Sequence, residues 1–238
     1  MTIRRLTLAL LAAMPLCLPA MANESEMPAC AAGLAPRHDG VCVAPMVADL
    51  DSELRKSQNA ARAKLSGAAR ALLDADQASY DAMLDGASTE ATRFDVATQM
   101  VLRRDFLAAI RASRGKWVGD FANATGSLSI TRRQAGGFVV RLRAAEAVLG
   151  TWHCEVEEFG VVEDGVLTAG QASAALDLGG PNEGWTLSFR LEGDVMMVRE
   201  HAPEGAGTKP PFCTGEGRIE GAYFAQAPAD IPVRAARK

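Results

Sequence analysis

Five carboxylates fall between positions 155 and 164, Glu155, Glu157, Glu158, Glu163 and Asp164, the densest concentration of one chemistry in the chain. Side chains on a strand return to the same face every second residue, so Glu155 and Glu157 share a face. Two carboxylates can act as general acid and base in glycoside hydrolysis, but one of them must then be desolvated in a cleft. A turn flanked by Gly160 and Gly165 is instead open to water. The first reading of the cluster is a solvated, charged edge that discourages sheet pairing. A partner-binding face comes second and catalysis third.

Other catalytic constellations lack their parts. The histidines are His38, His153 and His201. His153 alternates with Trp152 and Cys154 and so points outward, and Ser127 in Gly126-Ser127-Leu128-Ser129 sits on a strand pattern with no base assigned to it. The chain has no G-x-S-x-G, no H-E-x-x-H, no Walker loop and no dinucleotide fingerprint. A zinc site is disfavoured too, because there is no C-x-x-C and His38 and His153 flank different cysteines. No metal or cofactor is expected, and the chain is read as non-enzymatic.

The first 22 residues read as a cleavable export signal. Arg4 and Arg5 form its basic start, Leu6 to Leu18 its apolar stretch, and Ala20-Met21-Ala22 its small-x-small cleavage pattern. Cys17 is discarded with it. The apolar stretch, broken by Pro15 and Pro19, is too short to span a membrane, and no second one follows, so no transmembrane segment is expected. Removal takes two of the 25 basic residues and none of the 29 acidic ones, which moves the net charge from −4 to −6. That balance argues against a nucleic-acid partner, which needs a basic face. Four cysteines remain, Cys30, Cys42, Cys154 and Cys213, an even number that in an exported chain reads as disulfides. Three connectivities are possible; Cys30–Cys42 with Cys154–Cys213 keeps each pair inside one region.

The elements fall into two regions. Leu50, Leu54, Ala61, Leu65, Ala68, Leu72 and Met83 follow one helical stripe, which predicts a single long helix capped by Asp49 or Asp51 and stopped at Gly86. A second helix is expected from about Thr89 to Ser113, its apolar face interrupted by Arg103, and the two form a hairpin over 23–116. From Trp117 the pattern changes to short alternating runs separated by glycines, about eight antiparallel strands over 117–225. These include Leu128/Ile130, Trp152/Cys154/Val156, Ala174/Leu176/Leu178 and Leu187/Phe189/Leu191. The shared apolar-x-Gly-x-aromatic pattern of Trp117–Phe121 and Ile219–Tyr223 places the first and last strands side by side. A mobile basic tail is expected over 226–238. The fold class is therefore α+β, a helical hairpin followed by a small antiparallel barrel or sandwich. Its expected core is Leu54, Leu65, Leu72, Val96, Leu107, Trp117, Leu128, Ile130, Val140, Leu142, Trp152, Leu187 and Phe189. Residues 117–225 hold 15 acidic and 8 basic side chains, whereas 23–116 hold 13 and 12, so the acidity belongs to the β region.

Within the helical region, Leu72-Leu73-Asp74-Ala75-Asp76-Gln77-Ala78-Ser79-Tyr80 resembles the L-x-x-x-Q-x-x-W stretch of the LprI-type lysozyme inhibitor family, a helical module of exported bacterial proteins. Tyr80 stands where that family has Trp. Met83, Leu84 and Asp85 stand at its aromatic-Arg-Asp triplet, with the Asp kept and the Arg lost, and its following cysteine is missing. The likeness covers about residues 30 to 112. It implies a periplasmic or secreted protein that binds lysozyme or another basic, peptidoglycan-cleaving enzyme. An acidic β region gives such a partner charge complementarity, with Glu155, Glu157, Glu158, Glu163 and Asp164 as the expected contacts. The rival readings are a barrel for a small apolar ligand, suggested by Trp117, Trp152 and Trp185, and a cell-envelope adaptor.

Overall fold

A computed structural model describes residues 30–37, 39–87, 93–113, 117–170, 184–205, 207 and 209–227. The export signal, the Ala174–Leu178 strand, the start of the second expected helix and most of the basic tail lie outside the described residues. Both expected disulfides are present, Cys30–Cys42 and Cys154–Cys213. The first ties down a short hairpin of β1 (Ala35–Pro36) and β2 (Cys42–Val43) ahead of the helices.

The long helix is two helices, so the helical region holds three rather than a hairpin of two. They are α1 (Pro45–Ala63), α2 (Gly67–Ala87) and α3 (Arg93–Ala109). Pro45 opens α1, since a first-turn residue needs no N–H partner and proline's fixed φ suits that position. Asp51, expected as a cap, lies inside the helix and is buried. The break at Lys64–Ser66 is held by tertiary partners. Arg70 Nε donates to the Arg62 and Leu65 carbonyls, and the Ser66 N–H donates to Asp194 on the β region at 3.0 Å. Lys64 Nζ in turn donates to the Ala108 and Ile110 carbonyls at the end of α3. Groups that a helix end leaves unsatisfied are thus bonded elsewhere. The break shifts the buried stripe of α2 by one residue, to Ala69, Leu73, Gln77, Tyr80, Leu84 and Ala87, so Leu73 is the core residue and Leu72 only half-buried. Gly86, expected as a stop, lies within α2. The arginines of α1 reach acids on α2, Arg62 to Asp74 and Arg55 to Asp81, which marks the pair as antiparallel neighbours.

Eight strands close into an antiparallel barrel: β3 (Gly119–Ala122), β4 (Gly126–Arg132), β5 (Phe138–Ala145), β6 (His153–Glu163), β7 (Val166–Gly170), β8 (Thr186–Glu192), β9 (Val195–His201) and β10 (Gly221–Ala225). Each pairs with its neighbour in sequence, and β10 pairs with β3 through Phe224–Ala122 and Ala225–Phe121, the expected meeting of first and last strands. Closure leaves no open sheet edge. Phe121, Leu128, Ile130, Val140, Leu142, Val156, Leu167, Phe189, Met196, Val198 and Tyr223 meet in one buried cluster. Of the expected core, Trp117 and Trp152 pack only partly buried against that cluster, and Val96 against the helical one.

The helices dock on the outside of this barrel. Val195 and Phe224 join Leu54, Leu65, Leu73, Tyr80, Met100 and Leu107 in a second core, and Phe106 meets the Phe224 ring edge-on at 6.4 Å. Arg103, which interrupts an apolar face in sequence, is the polar centre of this seam and only 3% exposed. It pairs with Asp76 at 2.8 Å, donates to Gln77 at 3.0 Å, and lies against the rings of Tyr80 and Phe106. The other Asp76 oxygen accepts the Ala124 N–H of the β3–β4 turn at 2.8 Å, so one carboxylate joins α2, α3 and the barrel. Burial raises the Asp76 pKa, opposed by the Arg103 charge and these hydrogen bonds. The region boundary also moves. Gln226 and Ala227, expected in the mobile tail, are bonded to Asp120 and Ala109.

Candidate partner-binding face

The acidic cluster lies on β6 and the turn that follows it. β6 runs straight through Glu155 to Glu163, paired with β5 on one side and β7 on the other, so strand parity decides where each carboxylate points. His153, Glu155, Glu157, Phe159, Val161 and Glu163 face outward and all are exposed. Glu158 has the opposite parity: it stands level with Val140, half-buried, on the inward face with Cys154 and Val156. Four of the five expected contacts therefore share the outer face and its tip, and Glu158 does not.

Asp164 and Gly165 form the two-residue turn, with φ of 49° and 74°, while Glu163 pairs with Val166. Two successive positive φ values match the twist of a tight hairpin, and Asp-Gly is a preferred dipeptide there. Asp164 is held out at the tip by this turn. Along the strand, Gly160 faces inward where β6 crosses β7; a Cβ there would come within 2.8 Å of Leu167 Cδ1 and 2.9 Å of the Thr168 carbonyl oxygen. Only glycine allows this close approach, which keeps the outer residues on either side, Phe159 and Val161, in register.

Two of the carboxylates have partners that the sequence reading did not assign. Glu155 accepts from Arg143, directly opposite on β5, at 2.7 Å, and Glu157 accepts from Arg141 at 2.8 Å. The Arg141 hydrogen bond holds the Glu157 carboxyl below its usual pKa. The alternation Arg-x-Arg on β5 against Glu-x-Glu on β6 was visible in sequence; the register that aligns them was not. These rungs leave Glu163 and Asp164 as the carboxylates of the face with no ion pair among the described residues.

Between the rungs and the tip lies an apolar patch that the sequence reading missed. On the outer face Phe159 is 50% exposed and Val161 45%, and Arg133 lies over the Phe159 ring at 4.1 Å, whereas Val162, level with the buried Leu167, has the parity of Glu158. The signal was present as Phe159-Gly160-Val161-Val162, but an apolar run on a strand reads as core until its parity is known.

Elsewhere, His153 is exposed as expected, with Nδ1 3.0 Å from Thr214 Oγ1. Ser127 is exposed opposite Arg143. His38 lies outside the described residues. His201 sits beside Ser188, its Nε2 2.7 Å from the Ser188 Oγ, a pairing made by the β8–β9 register. Among the described residues no three of His, Cys, Asp and Glu are arranged to hold a metal ion, and no helix is long and apolar enough to cross a membrane.

Fold and face together define the class, an α+β protein in which three helices dock on the outside of a closed eight-stranded barrel whose β6–β7 hairpin carries an acid-flanked apolar patch. No family model, curated protein or solved structure matches the chain.

Proposed function

We propose that this protein is an exported, non-enzymatic binder of a basic, peptidoglycan-cleaving enzyme of the lysozyme kind, which it inhibits by covering that enzyme with the outer face of the β6–β7 hairpin. The observation that supports this most directly is the pair Phe159 and Val161, exposed on the outer face of one hairpin with Glu155, Glu157, Glu163 and Asp164 around it. Interfaces that bind well bury a few apolar anchors at their centre and place polar and charged groups at the rim. An acidic rim steers a basic partner onto that centre. Two disulfides fit an oxidising compartment such as the periplasm or the exterior, where such a partner is met. The residues that resemble the LprI-type family, Gln77 and Tyr80, are buried in the seam with Arg103, so on this reading the likeness bears on the scaffold and the hairpin supplies the contact.

Binding of purified chain to lysozyme at low salt, with lysis of peptidoglycan followed in parallel, tests the reading. Replacing Phe159 with Ser should weaken binding by about 1 kcal/mol or more, as loss of a central anchor does. Glu163→Gln with Asp164→Asn should mainly slow association and flatten its salt dependence. Glu158→Gln, on the other face, should change neither. Absence of binding and of inhibition at micromolar concentration would reject the proposal.

A further inference from the structure

The outer face of the barrel also carries a concavity, on β7, β8 and β9, whose lining is basic where the β6–β7 face is acidic. Val166, Ser188, Arg190, Glu192, Met197, Arg199 and His201 line a groove of about 220 Å³. That is below the ~300–1,000 Å³ of pockets that enclose a whole drug-sized ligand, so it suits one functional group.

Its construction follows from the hairpin register. Ser188 stands opposite Arg199 and Arg190 opposite Met197, so the two arginines are diagonal neighbours on one face, within reach of each other's long side chains. Like charges so placed repel. Elsewhere on the barrel such charges are answered: Arg141, Arg143 and Arg218 each have a glutamate, and Arg132 and Arg133 each lie over a phenylalanine ring. Among the described residues Arg190 and Arg199 have neither an acidic partner nor a ring. Glu192 is the single acid lining the groove, against two guanidiniums.

The Ser188–His201 pair adds donors in a fixed place. With a neutral imidazole the pair holds two exchangeable protons, and its 2.7 Å hydrogen bond uses one of them. Whichever way that bond runs, the other proton remains for a third group, from Nδ1–H or from the hydroxyl.

We propose that this groove binds a phosphate monoester group, gripped by Arg190 and Arg199 and oriented by the Ser188–His201 pair. A carboxylate offers two coplanar oxygens, which a single guanidinium fork engages together, and carries one negative charge. Two guanidiniums and a hydroxyl–imidazole pair line one groove across two strands and together supply donors for the three oxygens of a phosphoryl group. The site is separate from the β6–β7 patch, and its success or failure is independent of the lysozyme reading.

Inorganic phosphate and acetate, titrated into the purified chain by calorimetry, test the chemistry. Vesicles of phosphatidylcholine with and without phosphatidic acid distinguish a lipid monoester from a free one. Saturable phosphate binding, weakened about tenfold or more in R190Q/R199Q as loss of charge-assisted hydrogen bonds requires, is the expected result. Ser188→Ala should weaken it less, and Glu216→Gln, exposed and outside both the groove and the β6–β7 face, should leave it unchanged. Retention by phosphatidic acid vesicles alone, with the same arginine dependence, would support the lipid form. The proposal is overturned if neither phosphate source binds, if acetate binds as well as phosphate, or if the double variant, folded as judged by its melting temperature, binds undiminished.

Discussion

The two halves of this protein differ in where their most consequential charge pairs lie. On the barrel, arginines and glutamates face water and pair across strands, as in Arg141–Glu157 and Arg143–Glu155. In the helical region the decisive pair, Arg103–Asp76, is buried and bonded to three elements. Exposed pairs contribute little, because water and salt screen them and ordering two long side chains costs entropy. A buried pair is a liability unless every partner is present, since removing one member strands the other charge in a poor dielectric. The barrel can therefore vary its outer charges to suit a partner, while the helices depend on theirs to stay docked.

The largest effect should come from breaking that seam. Arg103→Ala should lose about 3–5 kcal/mol, as uncompensated buried charges do, whereas Asp76→Asn combined with Arg103→Met should recover part of the loss. Urea denaturation measures it with separate probes. All three tryptophans lie in the β region, so their fluorescence follows the barrel while far-ultraviolet circular dichroism is weighted to the helices. If the seam couples the two regions, the transitions coincide in the parent chain and separate in Arg103→Ala.

A somewhat smaller contrast lies within α2. Leu73→Ala should cost about 2–5 kcal/mol as a core truncation and Leu72→Ala under about 1 kcal/mol. Equal costs would mean that the stripe runs unbroken through Lys64–Ser66.

Glu200 sharpens the comparison through pH. It points inward on β9, accepts the Ile219 N–H at 2.7 Å, and burial raises its pKa above the usual carboxylate value. A raised carboxylate favours the fold at pH below its unfolded value, near 4.3, and that contribution is lost as pH rises through the folded value. Glu200→Gln keeps the acceptor and removes the titration. The stability of the parent relative to this variant should fall as pH is raised from about 4 toward neutrality, and a constant difference across that range would contradict the buried placement. The smallest effect belongs to the outer rungs: Glu155→Gln should change stability by about 0–1 kcal/mol.

Much of the barrel was legible because strand alternation and turn chemistry are local. The Asp164–Gly165 turn and the Leu128/Ile130 and Leu187/Phe189 alternations are carried by neighbours in sequence, and the apolar-x-Gly-x-aromatic pattern shared by Trp117–Phe121 and Ile219–Tyr223 marked the strands that meet. The helix break was not. Leu65 continues the stripe of α1 through the break, and the groups that stabilise the interruption, Asp194 and the Ala108 and Ile110 carbonyls, lie far along the chain. The candidate face was half legible: composition located the acids, but parity turned Glu158 inward, and cross-strand register gave Glu155 and Glu157 their arginines.

By itself, then, the sequence determined the α+β plan of a helical region followed by an antiparallel β region, and left barrel and sandwich both open. It also favoured the disulfide pairing observed, because only that pairing keeps each bridge inside one region; the periodicity and glycine placement behind the plan act over short distances. Only the tertiary structure decided that Arg103 is a core residue, that Phe159 and Val161 are surface, and that Ser188, Arg190, Arg199 and His201 meet in one groove. Each of these depends on which strand or helix lies opposite, and that is settled by packing across the whole chain.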